Sequence, residues 1–168
     1  MKIKKGVSVS LLGLILWMAC NSEPVYDYQE IRVFPNERWK RTDTISFRFT
    51  PLTEGKKNIY FYLENTSDFP YANLYLIVRT RRGETLHADT LEYRMADGRG
   101  RWLGRKVRHN FENLLVFKTG VSFKKGEEVE IIPEFATRSA ENIEGDEELK
   151  GVAKLGIIIE NVPTKSKK

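Results

Sequence analysis

From Thr44 onward the apolar residues of this chain recur at every second position, and that rhythm constrains the fold more than any other property. Side chains alternate between two faces along an extended strand, so a period of two marks a strand with one buried face. Ile45, Phe47 and Phe49 alternate with Thr44, Ser46 and Arg48. Leu74, Leu76 and Val78 alternate with Tyr75, Ile77 and Arg79, and Leu91, Tyr93 and Met95 with Thr90, Glu92 and Arg94. The stretch from Asn58 to Leu63 is apolar or aromatic on both parities, which predicts a central strand covered on both sides. Further strands are expected at 114–118, 128–135 and 152–160. Turn residues separate them at Glu54-Gly55, Asp68-Phe69-Pro70, Arg82-Gly83, Asp97-Gly98-Arg99-Gly100 and Lys125-Gly126. Seven to nine strands at this spacing predict an all-β fold, an antiparallel β-sandwich of the jelly-roll type; a closed barrel satisfies the same periodicity. A membrane barrel is disfavoured, because strands such as 44–50 lack an outward apolar band with aromatic girdles. Apart from the amino terminus, no helix of ordinary length is visible. Residues 139–149 could hold a turn or two, interrupted by Gly145.

The amino terminus obeys a different pattern. Lys2, Lys4 and Lys5 precede 14 uncharged residues from Gly6 to Ala19. As a helix that run would span about 21 Å, short of the roughly 30 Å hydrocarbon core of a bilayer. Basic residues, a short apolar stretch and a small residue together read as a secretory signal peptide. Cys20, the one cysteine of the chain, follows Ala19 directly. The segment Leu16-Trp17-Met18-Ala19-Cys20 resembles the lipobox of bacterial lipoproteins, with Trp17 where leucine is usual. That resemblance implies cleavage before Cys20, acylation of its thiol and amino group, and attachment to a membrane. Asn21 in place of aspartate implies sorting to the outer membrane, with the periplasmic face expected rather than the cell surface. The expected organisation is a signal peptide at 1–19, a lipidated terminus and tether at 20–37, the sandwich at 38–162 and a flexible basic tail at 163–168.

Charge decides against one function class. The whole chain carries 28 basic and 23 acidic residues, a net charge of +5, with a pI near 9.3. Removing Lys2, Lys4 and Lys5 with the signal peptide leaves 25 basic residues against 23 acids. Setting aside Lys165, Lys167 and Lys168 of the tail leaves 22 against 23, so the body has no basic excess. Nucleic-acid binders concentrate cations on the folded surface, and that class is excluded. With 40% hydrophobic residues the chain is too apolar to be disordered. One cysteine forbids an internal disulfide framework and a cysteine-rich zinc site.

Residues able to do chemistry are sparse. His87 and His109 are the two histidines, without a partnered nucleophile motif. No Gly-x-Ser-x-Gly, His-Glu-x-x-His or phosphate-loop pattern occurs. Asp89 and Glu92 are close in sequence, but a separation of three on a strand points them to opposite faces. Asp97 heads a glycine-rich loop, where an aspartate usually hydrogen-bonds its own backbone; calcium would need six to eight oxygens. Trp39, Tyr60, Tyr62, Phe69, Tyr71, Tyr75, Tyr93 and Trp102 serve either core packing or a stacking platform for sugars. Arg99, Arg101, Arg105, Lys106 and Arg108 form a basic run, read as a solvated loop or as a patch for acidic lipid headgroups or a protein. No catalytic residue, cofactor or metal is expected.

Four blocks then resemble one family in order along the chain. Asp89 to Gly104, which contains Asp97, Gly98, Gly100, Trp102 and Gly104, looks like the signature stretch of the gliding-motility lipoprotein H family (GldH). Trp39 to Asp43, Phe69 to Leu76 and Leu149 to Gly156 resemble three further blocks. The loop Asp97-Gly98-Arg99-Gly100 departs from the family's Asp-Pro-Asp-Gly, which further lowers any calcium reading. The resemblance implies a lipid-anchored, non-catalytic outer-membrane accessory of the gliding machinery, linked to type IX secretion, with protein partners there. The alternative is a carbohydrate-binding β-sandwich lipoprotein. In the Bacteroidota, the bacterial group that the resemblance implies, Asp-Ser/Thr-apolar tripeptides accept O-linked glycans, which implies Thr44 and Thr90 as acceptors; ordinary strand residues are the favoured reading of so short a motif.

Overall fold

The computed structural model describes residues 26–137 and 145–163. The signal peptide, Cys20 and the lysines of the tail lie outside the described residues, as does most of the segment expected to hold a helical turn. The strands are β1 (Tyr26–Val33), β2 (Arg38–Lys40), β3 (Phe47–Phe49), β4 (Gly55–Asn65), β5 (Asn73–Arg82) and β6 (Thr85–Arg94). They continue with β7 (Arg105–Val107), β8 (Asn110–Phe123), β9 (Val129–Phe135), β10 (Glu148–Lys150) and β11 (Val152–Asn161). A 3-10 turn at Pro35–Glu37 joins β1 to β2.

One sheet has the order β1-β11-β4-β8-β7, the other β3-β9-β5-β6, and β10 pairs with β2 apart from both. Every named pair is antiparallel. Without β2 and β10, which pair apart from both sheets, and the short edge strand β7, four strands face four. The chain then changes sheet at each step except the β5–β6 hairpin, which is the two-Greek-key path of a jelly roll. Among the described residues there are eleven strands, more than the seven to nine expected, because alternation did not reveal β1 or the short β2, β7 and β10.

Ile45, Phe47 and Phe49, with Leu74, Leu76 and Val78, enter the core as predicted, joined by residues of β4, β8, β9 and β11. Ile59, Phe61 and Leu63 of β4, Leu155, Ile157 and Ile159 of β11, and Leu115 and Phe117 of β8 face Leu74, Leu76 and Val78 of β5, Ile131 of β9 and Phe47 of β3. Phe61 and Phe117 sit 5.3 Å apart, ring to ring. Each such side chain contributes roughly 1.5–3 kcal/mol by leaving water.

Two expectations need correction. The sheet begins at Tyr26, inside the segment expected to be a tether, because β1 pairs with β11 over its whole length. Alternation missed β1 since its parities are inverted. Tyr28, Glu30 and Arg32 lie opposite the inward residues Ile159, Ile157 and Leu155, at an open edge where their polar ends reach water. Ile31 and Val33 take the outward parity. The second correction concerns β4, whose outer side is not covered: Tyr60 and Tyr62 are only half-buried.

Candidate interaction surfaces

The signature stretch closes one end of the sandwich. Asp97 Oδ1 accepts hydrogen bonds from the backbone N–H groups of Arg99 and Arg101, both at 2.9 Å, and Oδ2 accepts from Arg101 Nε at 2.8 Å. Those bonds from Arg101, backbone first, and then from Arg99 hold the carboxyl below its ordinary value. The carboxylate is thus spent on folding its own loop, as an Asx-type turn requires. Gly100 sits at φ +76°, in the left-handed region. Trp102 packs its ring against Phe69 at 6.0 Å and Phe111 at 5.8 Å. At Gly104 an added Cβ would lie 2.6 Å from Asn113 Oδ1 and 2.9 Å from the Glu112 carbonyl oxygen. That space belongs to Asn113, which donates to the Leu63 and Phe111 carbonyls and to Asn65 Oδ1. Asp97, Gly100, Trp102 and Gly104 therefore build the end of the fold, while Gly98 has open space around it.

The outer face of the five-stranded sheet has a different character. Cross-strand pairing aligns Val116, Tyr60, Ile158 and Gln29 in one row and Leu114, Tyr62, Gly156 and Ile31 in the next. Leu114 is 56% exposed, Val116 52%, Ile31 39% and Val33 68%. Gly156 is required because a Cβ there would sit 2.7 Å from the Glu30 carbonyl oxygen and 2.8 Å from Ile31 Cγ1. A polar cluster borders this apolar field. Glu64 accepts from Tyr62 OH at 3.1 Å and Asn110 Nδ2 at 2.5 Å, and pairs with Lys154 Nζ at 2.7 Å. Burial alone would raise the Glu64 carboxyl, but the bonds from Asn110, Lys154 and Tyr62 together outweigh it and hold the group low. Burial and the adjacent Glu64 push the Tyr62 hydroxyl up.

The outer face of the four-stranded sheet is charged and paired. Glu130 accepts from Ser46 Oγ at 2.6 Å and Arg48 Nε at 2.8 Å, and meets Arg81 Nε at 3.3 Å. The hydrogen bond from Ser46, and then Arg48 and Arg81 against a smaller effect of burial, holds this carboxyl low. Arg79 pairs with Glu134, and Glu92 accepts from Tyr75 OH and Asn73 Nδ2, both at 2.7 Å. Where this sheet meets β1, a cavity of about 440 Å³ is lined by Tyr28, Arg48, Phe49, Arg81 and Glu130. Burial first, and then a hydrogen bond to Glu30, pushes the Tyr28 hydroxyl up to about 12.

At the end where β1 starts, the inward side of β4 carries a lysine. Lys57 is fully buried, with Nζ 3.3 Å from Asp27 Oδ2, and donates to Asn161 Oδ1 at 2.7 Å and Thr53 Oγ1 at 3.2 Å. This cluster ties β1, β4, β11 and the β3–β4 loop together. Pattern reading missed it, because Asp27 fell in the supposed tether and Lys57 reads as a polar flank of the apolar run.

The remaining expected sites are dispersed. Thr44 is exposed in the coil before β3, and Thr90 is exposed on the outer side of the edge strand β6. Neighbouring Asp89 turns the other way, to Lys118 Nζ at 2.6 Å and His87 Nε2 at 3.3 Å, so it and Glu92 do point apart. His109 is exposed in the β7–β8 turn. Among the described residues no three His, Cys, Asp or Glu side chains gather as a metal site. Trp39 and Phe69 are buried, and Tyr71, Tyr93 and Trp102 pack on the core, leaving Tyr60 and Tyr62 on one outer face and Tyr75 on the other. At most two of these eight aromatics therefore share an outer face. Within the basic run, Arg105 pairs with Glu112 and Arg101 with Asp97.

These features define a jelly-roll sandwich protein with one charge-paired outer face and one apolar outer face. Residues 26–159 match the sequence profile of the GldH lipoprotein family, and the chain belongs to that family. It is 33% identical over 164 residues to the gliding motility lipoprotein GldH of Flavobacterium johnsoniae, covering 95% of this chain and 98% of the relative. It is 28% identical over 159 residues to a gliding motility lipoprotein GldH homolog of Christiangramia forsetii, covering 92% and 94%. Among solved structures, a CocE/NonD family hydrolase from Staphylococcus aureus aligns with 83% of this chain and 32% of its own. Its TM-score of 0.33 and 10% identity carry no conclusion about activity.

Proposed function

We propose that this chain is a lipid-anchored, non-catalytic envelope protein that serves the gliding-motility machinery and the type IX secretion apparatus linked to it. The observation that carries this reading is the near full-length correspondence with two relatives named as gliding motility lipoproteins. Acyl chains on Cys20 hold the protein in the outer membrane, on the periplasmic side. Two or more chains suffice for stable attachment. The apolar outer face around Leu114 and Val116 is the surface that meets a protein partner, since contiguous exposed apolar patches mark interaction sites. The non-catalytic reading is supported by the structural employment of the carboxylates: Asp97 folds a loop, while Glu64 and Glu130 bind neighbouring strands. Thr44 and Thr90, both exposed, are proposed glycan acceptors.

Crosslinking and capture from native membranes test the function, with the lipid anchor intact. Retrieval of gliding or secretion components is the expected outcome. Capture of none of them, together with unchanged spreading and secretion in a deletion strain of a gliding host, would overturn the reading. Intact mass of the native protein shows whether diacylglyceryl and hexose additions are present.

A further inference from the structure

The position of β1 fixes how far the folded domain can stand from its anchor. Tyr26 is already hydrogen-bonded into the sheet opposite Glu160, so only residues 21–25 separate Cys20 from the sandwich. At roughly 3.3–3.6 Å per residue that connection reaches at most about 20 Å. The strand it joins does not peel away easily. Asp27, one residue into β1, is held by buried Lys57, which is itself bonded to Asn161 of β11 and Thr53 of the β3–β4 loop. Leu52 N–H also donates to Asp27 Oδ2.

The same end of the sandwich gathers further elements. β11 runs antiparallel to β1, so the chain leaves the sheet here too, with Val162 N–H bonded to the Lys56 carbonyl. The sequence that follows Pro163 contains Lys165, Lys167 and Lys168 and no acid. The β3–β4 and β8–β9 loops meet at this end through Gly126 N–H and the Pro51 carbonyl. Leu52, 63% exposed, and Tyr26, 53% exposed, project from it. Lys56, Lys124 and Lys125 are exposed there, offset by Glu54, Glu84, Glu128 and Glu160. The net cationic contribution therefore comes from the tail.

We infer that this end of the jelly roll rests on the phospholipid surface that the acyl chains enter, with Leu52 and Tyr26 at headgroup level and the charge of the tail lysines favouring anionic lipid. Exposed aromatic and leucine side chains suit the interfacial zone, and cations near a bilayer favour anionic lipid. The inference rests on acylation of Cys20. Its consequence is an orientation. The strands stand away from the bilayer, β4 alone extending roughly 35 Å at 3.3 Å per residue. The signature loop Asp97–Gly100 is held at the distal end, and the apolar face around Leu114 opens sideways, parallel to the membrane.

Depth measurement on the full acylated chain tests this. The lone native cysteine leaves Leu52→Cys and Arg99→Cys as unique label sites once Cys20 is acylated. Each variant carries a thiol-reactive fluorophore and is reconstituted in vesicles of phosphatidylcholine and phosphatidylglycerol with brominated acyl chains. The label at 52 is expected to be quenched several-fold more than the label at 99, and Lys165→Glu/Lys167→Glu/Lys168→Glu is expected to reduce quenching at 52. Equal quenching, or stronger quenching at 99, overturns the orientation while leaving the anchor intact. The unsubstituted chain separates the two failures: if it takes the fluorophore, Cys20 is free, and the anchor falls together with the orientation built on it.

Discussion

The two outer faces of this sandwich solve the same problem in opposite ways. On the four-stranded sheet Arg48, Arg79 and Arg81 are matched by Glu130 and Glu134, and Tyr75 by Glu92, so the surface is complete in water. On the five-stranded sheet Leu114, Val116, Ile31 and Val33 are exposed and Tyr60, Tyr62 and Ile158 half-exposed, with a polar cluster along the border at Glu64. Isolated surface hydrophobes are ordinary, whereas rows of them on adjacent strands are not. The contrast teaches that a charge-paired face can be an end in itself, while an apolar face of this extent is where the proposed partner contact is to be tested.

The largest effect is expected on partner capture. Leu114→Asp with Val116→Asp should lower crosslinked recovery by about 30-fold, the loss that follows when a central contact worth about 2 kcal/mol is removed. Thermal melting should confirm that the fold survives. Arg79→Ala on the opposite face should leave recovery unchanged. Equal losses from both faces would erase the distinction between them.

Gly156→Ala tests how closely β1 lies over the apolar face. The added methyl meets the backbone of Glu30, which cannot swing aside, so urea unfolding should show a loss of about 1–3 kcal/mol. Gly98→Ala, in open space, should be near neutral. On the charged face, Glu130→Gln should cost about 1 kcal/mol, because its guanidinium partners are well exposed to solvent.

The smallest effect is a pH dependence shared by both faces. Glu64 and Glu130 each have a folded-state carboxyl held below its ordinary value of 4.5. Their contribution is fully present above pH 4.5 and drains as the pH falls below it through the folded-state value, since the unfolded chain then binds more protons. Stability measured from pH 6 down to 3 should fall less steeply in Glu64→Gln and Glu130→Gln than in the unsubstituted chain. Parallel slopes would show that neither carboxyl is engaged as described.

Much of this architecture was legible before any coordinates. Leu74, Leu76 and Val78 announced an inward face, and the turns at Gly55, Gly83 and Gly126 fell where the strands end. The signature blocks pointed to the family that the profile match establishes. Part of the candidate surface was hidden for identifiable reasons. Tyr60 and Tyr62 have the same composition whether a second layer covers them or not. Asp27 and Lys57 are 30 residues apart in sequence, and neither pattern nor spacing brings them together. At Gly104 the sequence does not show that Asn113 occupies the space a side chain would need.

The sequence by itself determined the longer core strands and, in β3, β5 and β6, which parity faces inward, because alternation is a local property of the strand. It also set out the basic-apolar-cysteine segment at 1–20 that motivates the lipid anchor. Only the tertiary structure decided the pairing order, the recruitment of β1 into the sheet and the identity of the open face. Those depend on what lies across the neighbouring strand, and a one-dimensional pattern does not encode whether a second apolar face meets protein or solvent.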